Sequence, residues 1–254
     1  MRAMSVRVEN FNYISAGVHL LRDISFFLSQ GDWLSVIGPN GSGKSTLLKS
    51  ILGLAKGSSG RGIHLFEKPL GILGRREIAR YAAYVPQMLT MPPFSVREFL
   101  AMSGYAWECK GKSMDKVVSE AMEQSNIAEY AHKPMRVLSG GILRRVFLAA
   151  AVAQGAEILV LDEPYSFLDP PQALEMNRLL KRLNREEGKT ILMATHDLNL
   201  ALDGDGLGLI LRNGEQLAFG ALADFPRRGV LDNAFDHEFR YFRNPHNGGL
   251  LIQP

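Results

Sequence analysis

Residues 32–53 read DWLSVIGPNGSGKSTLLKSILG, and the order of residue types within them decides the fold. Asp32–Ile37 is a short apolar run of strand length. A glycine-rich turn, GPNGSGKST at 38–46, follows it. Leu47, Leu48, Ile51 and Leu52 then fall on one face of a helix that Gly53 ends. The turn matches the phosphate-binding pattern G-x-x-x-x-G-K-[ST], which arises by accident in roughly one chain of this length in a hundred. A strand before it and a helix after it are the setting that the pattern needs. Gly38, Gly41 and Gly43 let backbone N–H groups curl around an anion, and the helix aims its positive end at that anion. Lys44 is placed to meet the outer phosphates and the Ser45 hydroxyl to ligate Mg²⁺, with Pro39, Asn40, Ser42 and Thr46 completing the cradle. The competing reading is an ordinary glycine turn.

Two further stretches add chemistry. ILVLDEP at 158–164 is a wholly apolar strand ending in two carboxylates, at the sheet edge where open α/β folds bind ligands. Asp162 would hold Mg²⁺ through its water shell and Glu163 would polarise an attacking water; taken alone, the pair would be a solvated turn. LSGG at 138–141 opens a second helix, ILRRVFLAAAVAQ, which Gly155 stops. Ser139 is a good N-cap, and Gly140 and Gly141 leave first-turn N–H groups exposed, a second anion site unless it is a plain cap. Two cradles cannot easily serve one phosphate from the same side. One way out is a dimer in which each subunit lends this helix end to the other's nucleotide.

The rest of the chain frames these motifs. Its 254 residues are 46% hydrophobic and 22% charged, which excludes disorder and collagen-like repeats and allows one large domain or two small ones. The single cysteine, Cys109, permits no internal disulfide and suits a reducing compartment. The start, MRAMSVRVENFNY, lacks the apolar run of a signal peptide. No stretch approaches the roughly 18 apolar residues of a membrane span. A net charge of +3 does not argue for nucleic acid. TILMAT at 190–195 reads as another central strand, and Leu207–Leu211 is also strand-sized. Asp169 reads as an N-cap with Pro170 and Pro171 opening a helix, whose stripe is Met176, Leu179, Leu180 and Leu183. Strand–helix–strand order implies a parallel, doubly wound sheet. Ser5–Tyr13 and Leu20–Leu28 read as paired strands of a separate small sheet. Residues 91–137 read as an inserted helical subdomain, and 225–254 as a mixed tail without a long regular element.

The ordered set GPNGSGKST, YVPQ at 84–87, LSGG, ILVLDEP, SFLD at 166–169 and ATHD at 194–197 resembles the ATP-binding subunit of ABC transporters, from about residue 5 to 222. The resemblance implies an α/β fold: a P-loop NTPase core with a parallel sheet, an N-terminal antiparallel β-subdomain and an inserted α-helical subdomain, all within residues 1–224. It implies ATP and Mg²⁺ as cofactors, with Ser45, Gln87 and Asp162 about the metal. By the same likeness Tyr13 stacks on adenine, and Gln87 senses Mg²⁺ and the attacking water. Ser139, Gly140 and Gly141 close on the partner's γ-phosphate. Glu163 is the catalytic carboxylate, Asp169 lies at the dimer seam and His196 contacts the γ-phosphate; from the residues alone, His196 is equally a satisfied histidine at a strand end. Ile142 stands where the family has a polar residue, which should weaken closure without abolishing it. Phe167 is bulkier than the residue usual in SFLD.

REIARYAAYVPQ at 76–87, PPFSVREFLAMSGY at 92–105 and THDLNLAL at 195–202 are similar to the ATPases of importers for iron–siderophore complexes, haem and cobalamin. That likeness implies a homodimer at the cytoplasmic face of the membrane. It also implies an integral membrane permease docked at Met88–Tyr105, and a secreted or periplasmic substrate-binding protein. Phe94, Val96 and Phe99 serve equally as core of a helical subdomain. A soluble ATPase of the same family, as in iron–sulfur cluster assembly, is the alternative. A hydrolysis-dead binding module is the third reading, and the intact Lys44, Asp162, Glu163 and His196 argue against it.

Overall fold

The computed structural model describes residues 3–57, 60–104, 113–202, 206–243 and 250–253; Tyr105 and Cys109 lie outside them. In chain order the strands and α-helices are β1 (Met4–Ser15), β2 (Val18–Ser29), β3 (Trp33–Ile37), α1 (Lys44–Ile51), β4 (Ile63–Leu65) and β5 (Lys68–Pro69). Then come α2 (Arg75–Tyr81), β6 (Ala82–Val85), α3 (Val96–Ser103), α4 (Met114–Gln124), α5 (Gly140–Ala153), β7 (Ile158–Asp162) and α6 (Pro170–Arg185). The chain closes with β8 (Thr190–Thr195), α7 (Leu198–Leu202), β9 (Leu207–Arg212), β10 (Glu215–Ala221), α8 (Val230–Phe235), β11 (Arg240–Arg243) and β12 (Leu250–Gln253). These elements form two compact units, residues 1–73 with 190–254 and residues 74–189.

In the first unit β3 runs parallel to β8 and to β9, pairing Trp33 with Ile191 and Leu34 with both Leu192 and Leu207. All six residues of β8 are buried, as expected of a parallel strand covered on both faces. Helix α1 turns Leu47, Leu48 and Ile51 inward, each fully buried. β1 and β2 form the expected antiparallel ladder. This ladder is not a separate sheet: Arg22 of β2 pairs with Glu215 of β10, and Gln216 Oε1 accepts from the Ser25 N–H at 2.9 Å. The Arg22 N–H donates to the Gly214 carbonyl at 2.8 Å, and Phe219 of β10 packs on Phe26 and Phe27 of β2, a link between residues far apart in sequence that leaves no sequence period.

Residues after 224 form short elements with a shared core. Phe225, Leu231, Ala234 and Ile252 pack with Ile37, Leu202, Ile210 and Leu222, and Phe225 is completely buried. β11 and β12 make an antiparallel pair, and Asn199 of α7 holds its end: Asn199 Oδ1 accepts from the Ile252 N–H at 2.8 Å, and Nδ2 donates to the Ile252 carbonyl at 3.2 Å.

In the second unit β6 runs parallel to β7, from Ala82 opposite Ile158 to Val85 opposite Leu161. Helices α3, α4 and α5 enclose a cluster that includes Val96, Leu100, Val118, Met122, Leu143 and Val146. α3 begins at a capping box, in which the Ser95 N–H donates to Glu98 Oε2 at 2.8 Å and Ser95 Oγ accepts from the Glu98 N–H. α6 begins as the sequence indicates: Asp169 Oδ1 accepts from the Gln172 N–H at 2.8 Å, with Pro170 in the first turn. Its buried side chains include Met176, Leu180 and Leu183, with Leu179 half-buried.

Candidate nucleotide site

The glycine loop of the first unit is shaped by close approach. A Cβ on Gly38 would lie 2.1 Å from the Leu211 carbonyl oxygen, and one on Gly43 would lie 2.6 Å from Leu21 Cδ2. Gly43 also has φ +99 and serves as the N-cap of α1, with no side chain closing the helix start. The first-turn N–H groups of α1 therefore have no side-chain cap. Lys44 is 7% exposed, and its Nζ donates to the carbonyls of Gly38 at 2.8 Å and Pro39 at 3.1 Å. Ser42 Oγ is buried without a hydrogen-bond partner among the described residues. A buried orphan hydroxyl beside an uncapped helix start fits an anion with many acceptor oxygens, such as a nucleotide's phosphate chain.

His196 follows β8 directly and is exposed. Asp197 turns the chain after it, accepting the Leu200 N–H at Oδ1 at 3.0 Å and donating its own N–H to Thr195 Oγ1 at 3.0 Å.

Tyr13, which by the resemblance stacks on adenine, lies on the buried side of β1. Its ring is 6% exposed and its hydroxyl donates to the Lys56 carbonyl at 2.7 Å. The cause is local. Val6 and Val8 face inward, Asn10 adopts φ +45, and the register slips between Val8 and Phe11, so that Phe11 and Tyr13 turn to the buried side. An irregularity of this kind re-aims every side chain beyond it.

The second unit holds the carboxylates. Asp162 ends β7 at 2% exposure and Glu163 follows at 5%. Tyr84, on the neighbouring strand β6, donates its hydroxyl to Asp162 Oδ2 at 3.0 Å. Burial above all, then the Asp162 charge, drives the Tyr84 pKa far above the ordinary phenol range, so Tyr84 stays a donor. The Asp162 carboxylate, the Ser45 hydroxyl and the Gln87 amide are oxygen donors of the kind a hard cation takes, so these residue types suit Mg²⁺.

Ser139 caps α5, its Oγ accepting the Ile142 N–H at 3.4 Å. Ser139 and Gly140 are exposed, and no atom lies within 4 Å of where a Gly140 Cβ would stand. Gly141 is buried against Gln172, whose Oε1 would lie 2.5 Å from a Cβ there. Ile142 is half-buried against the helical cluster. Gln87 and Asp169 are exposed, and so is Phe167, at 83%.

Sequence reasoning missed Arg144, which is 3% exposed and donates to three carbonyls: Ser166 at 2.9 Å, Glu163 at 3.1 Å and Gln87 at 3.2 Å. Its signal was available. A guanidinium inside the apolar run ILRRVFLAAAVAQ must find partners if its helix is buried. Tyr84 and Asn199 were also passed over, each visible only through a partner distant in sequence.

The family model described as ABC transporter matches residues 21–166, and one described as an AAA domain matches 133–203. The iron(3+)-hydroxamate import ATP-binding protein FhuC of Bacillus subtilis (strain 168) is 33% identical over 231 residues, 89% of this chain and 86% of its own. The hemin import ATP-binding protein HmuV of Rhodococcus jostii (strain RHA1) is 32% identical over 255 residues, 99% of this chain and 87% of its own. Among solved structures, an inward-facing ABC transporter described as metal-chelate type superposes with a TM-score of 0.83 at 25% identity, over 99% of this chain and 97% of that one. A dimeric ATP-binding cassette bound to ADP and Pi superposes with a TM-score of 0.74 at 28% identity, over 85% of this chain and 98% of that one.

A glycine loop, a strand-end carboxylate pair and a serine-capped helix, in this order and on this fold, define a nucleotide-hydrolysing cassette. The chain belongs to the ABC transporter family. Within it, the chain is an ATP-binding and ATP-hydrolysing subunit of the importer type. No helix among the described residues is long and apolar enough to cross a membrane.

Proposed function

We propose that this subunit powers import of an iron–siderophore complex, haem, cobalamin or a related metal chelate, working as a homodimer on the cytoplasmic face of a permease. The substrate class rests on relatives whose names specify iron(3+)-hydroxamate and hemin. The dimer is supported by the dimeric ADP- and Pi-bound cassette, and by Ser139 and Gly140 standing exposed at a helix start. The permease contact is supported by Met88, Met91 and Met102, which are 75%, 56% and 57% exposed, whereas Val96 and Phe99 belong to the helical core. A substrate-binding protein outside the membrane would deliver the chelate to the permease.

The glycine loop carries the nucleotide reading, through its buried orphan Ser42 hydroxyl and the uncapped start of α1. Lys44 and the α1 N–H groups hold the phosphates, and Mg²⁺, when bound by Ser45, Asp162 and Gln87, supplies positive charge against the transferred phosphoryl group. Water attacks the γ-phosphorus, the bond to the β-bridging oxygen breaks, and Glu163 accepts the water proton. His196 donates to the γ-phosphate oxygens, and the partner's Ser139–Gly141 end contributes N–H groups to the same charge. Asp169 lies at the seam between the two copies.

Glu163→Gln is the test. ATP affinity is expected to stay near wild type, turnover to fall by about a thousandfold or more, and an ATP-bound dimer to accumulate in size-exclusion chromatography. Unchanged hydrolysis would remove Glu163 from the role of base.

A further inference from the structure

Arg144 lies five residues beyond Ser139, about 7.5 Å along the axis of α5. Its guanidinium reaches three backbone oxygens that no regular element places together: Nε donates to Ser166, Nη1 to Glu163 and Nη2 to Gln87. Val85, Leu148, Leu161 and Met176 line the space around it. Polar bonds in such apolar surroundings are strong when made and costly when missing. Burial lowers the guanidinium pKa and the nearby Glu163 charge works against that, so the cation persists. Two of its acceptors bracket a strained turn. Glu163 has φ +51, and Phe167, directly after Ser166, has φ +63. Left-handed backbone at residues other than glycine persists only where surrounding contacts impose it.

Only a planar fork spans three acceptors at once; a lysine ammonium on the same stem is a point charge with one location. α5 is fixed on its other side by Leu143, Val146 and Ala149 in the helical cluster. As parts of one packed helix, its first turn and its arginine would move together. A shift at Ser139 would then reach the carbonyls of Gln87, Glu163 and Ser166 through the Arg144 bonds.

We propose that Arg144 is a positioning residue that holds the Glu163–Phe167 turn in its hydrolytic shape and transmits to it the engagement of the Ser139 end of α5. Each subunit's own catalytic turn thereby registers nucleotide bound by its partner. This inference rests on the dimer reading above, and its main readout is amide exchange, which does not depend on which residue is the base.

Hydrogen exchange is followed in the full-length wild type, Arg144→Lys and Ser139→Ala, each with and without a non-hydrolysable ATP analogue. In Arg144→Lys, amides 163–168 are expected to exchange about tenfold faster or more, while the interiors of β7 and α6 keep their protection. Unchanged exchange at 163–168 would overturn the tie. In the wild type the analogue is expected to slow exchange at 163–168, and Ser139→Ala to abolish that slowing. Slowing that survives in Ser139→Ala would overturn the transmission, and this arm stands even if every Arg144 variant fails to fold. Kinetically, Arg144→Lys is expected to lower kcat by about a hundredfold with ATP affinity within about threefold of wild type. Ser139→Ala combined with it should be no worse than about threefold below the poorer single variant. Losses that multiply would show the two residues to act independently and would sink the coupling.

Discussion

Gly38→Ala and Gly41→Ala separate two reasons for glycine that the phosphate loop uses three residues apart. At Gly38 the backbone is not left-handed, and the obstacle is the Leu211 carbonyl oxygen, 2.1 Å from an added Cβ, with Ser42 Oγ at 2.7 Å. Real Cβ atoms essentially never come within 3.0 Å of such a neighbour. Leu211 cannot give way freely, because β9 is held by β3 on one side, Ile37 opposite Ile210, and by β10 on the other, Gln216 opposite Leu211. Forced overlap together with a displaced ladder bond should cost about 3–5 kcal/mol. At Gly41, with φ +80, an added Cβ meets nothing within 4 Å. The cost there is the left-handed backbone alone, about 1–2 kcal/mol, and Gly41→Asn should recover part of it because asparagine adopts that conformation. Urea denaturation of the three variants, with the slope checked against wild type, measures both costs. If Gly38→Ala were no more destabilising than Gly41→Ala, the close approach of β9 would not be what reserves Gly38.

Ile142→Gln should keep or raise ATPase activity while losing about 1 kcal/mol of stability, since Ile142 is half-buried on the helical cluster; a collapse of activity in a steady-state assay would give Ile142 a specific packing duty. Tyr241→Phe tests the C-terminal region. Burial foremost, then Asp232, pushes the Tyr241 phenol up to about 12, so the folded chain holds a proton that the unfolded chain releases near pH 10. That contribution is present below about pH 10 and lost as pH rises toward 12. Stability curves across that window should fall more steeply in wild type than in Tyr241→Phe, and parallel curves would contradict the assignment.

What was legible in the sequence was whatever depends on neighbours along the chain. β8 has the bounds read from TILMAT, and the α6 cap at Asp169 forms with its proline behind it, because a strand buried on both faces and a capped helix start are written in adjacent residues. The glycine turn between β3 and α1 was legible for the same reason. The burial of Tyr13 was not legible, because the irregularity at Asn10 changes the alternation that assigns faces. The packing of the C-terminal region was invisible, since Phe225 is buried by Ile37, Ile210 and Leu222, and the β12 end is held by Asn199. Of those partners only Leu222 is near in sequence.

The carboxylate turn shows why site residues escape local rules. Sequence chemistry would put glycine where φ is +51 or +63, yet the chain has Glu163 and Phe167 there. Each such placement costs about 1–3 kcal/mol. A cost of that size is retained only where the side chain does something glycine cannot. For Glu163 that is an acidic oxygen beside the end of β7, and for Phe167 an 83% exposed ring in the turn that leads to the Asp169 cap. The compensation comes from elsewhere in the same unit. The Ser166 N–H donates to the Glu163 carbonyl at 3.1 Å, and the Tyr165 hydroxyl donates to Asn177 Oδ1 at 3.0 Å. Arg144 adds two charge-assisted bonds across the turn. The turn is thus specified by an arginine about twenty residues upstream, and a change at Arg144 should be felt at Glu163 before it is felt in the fold.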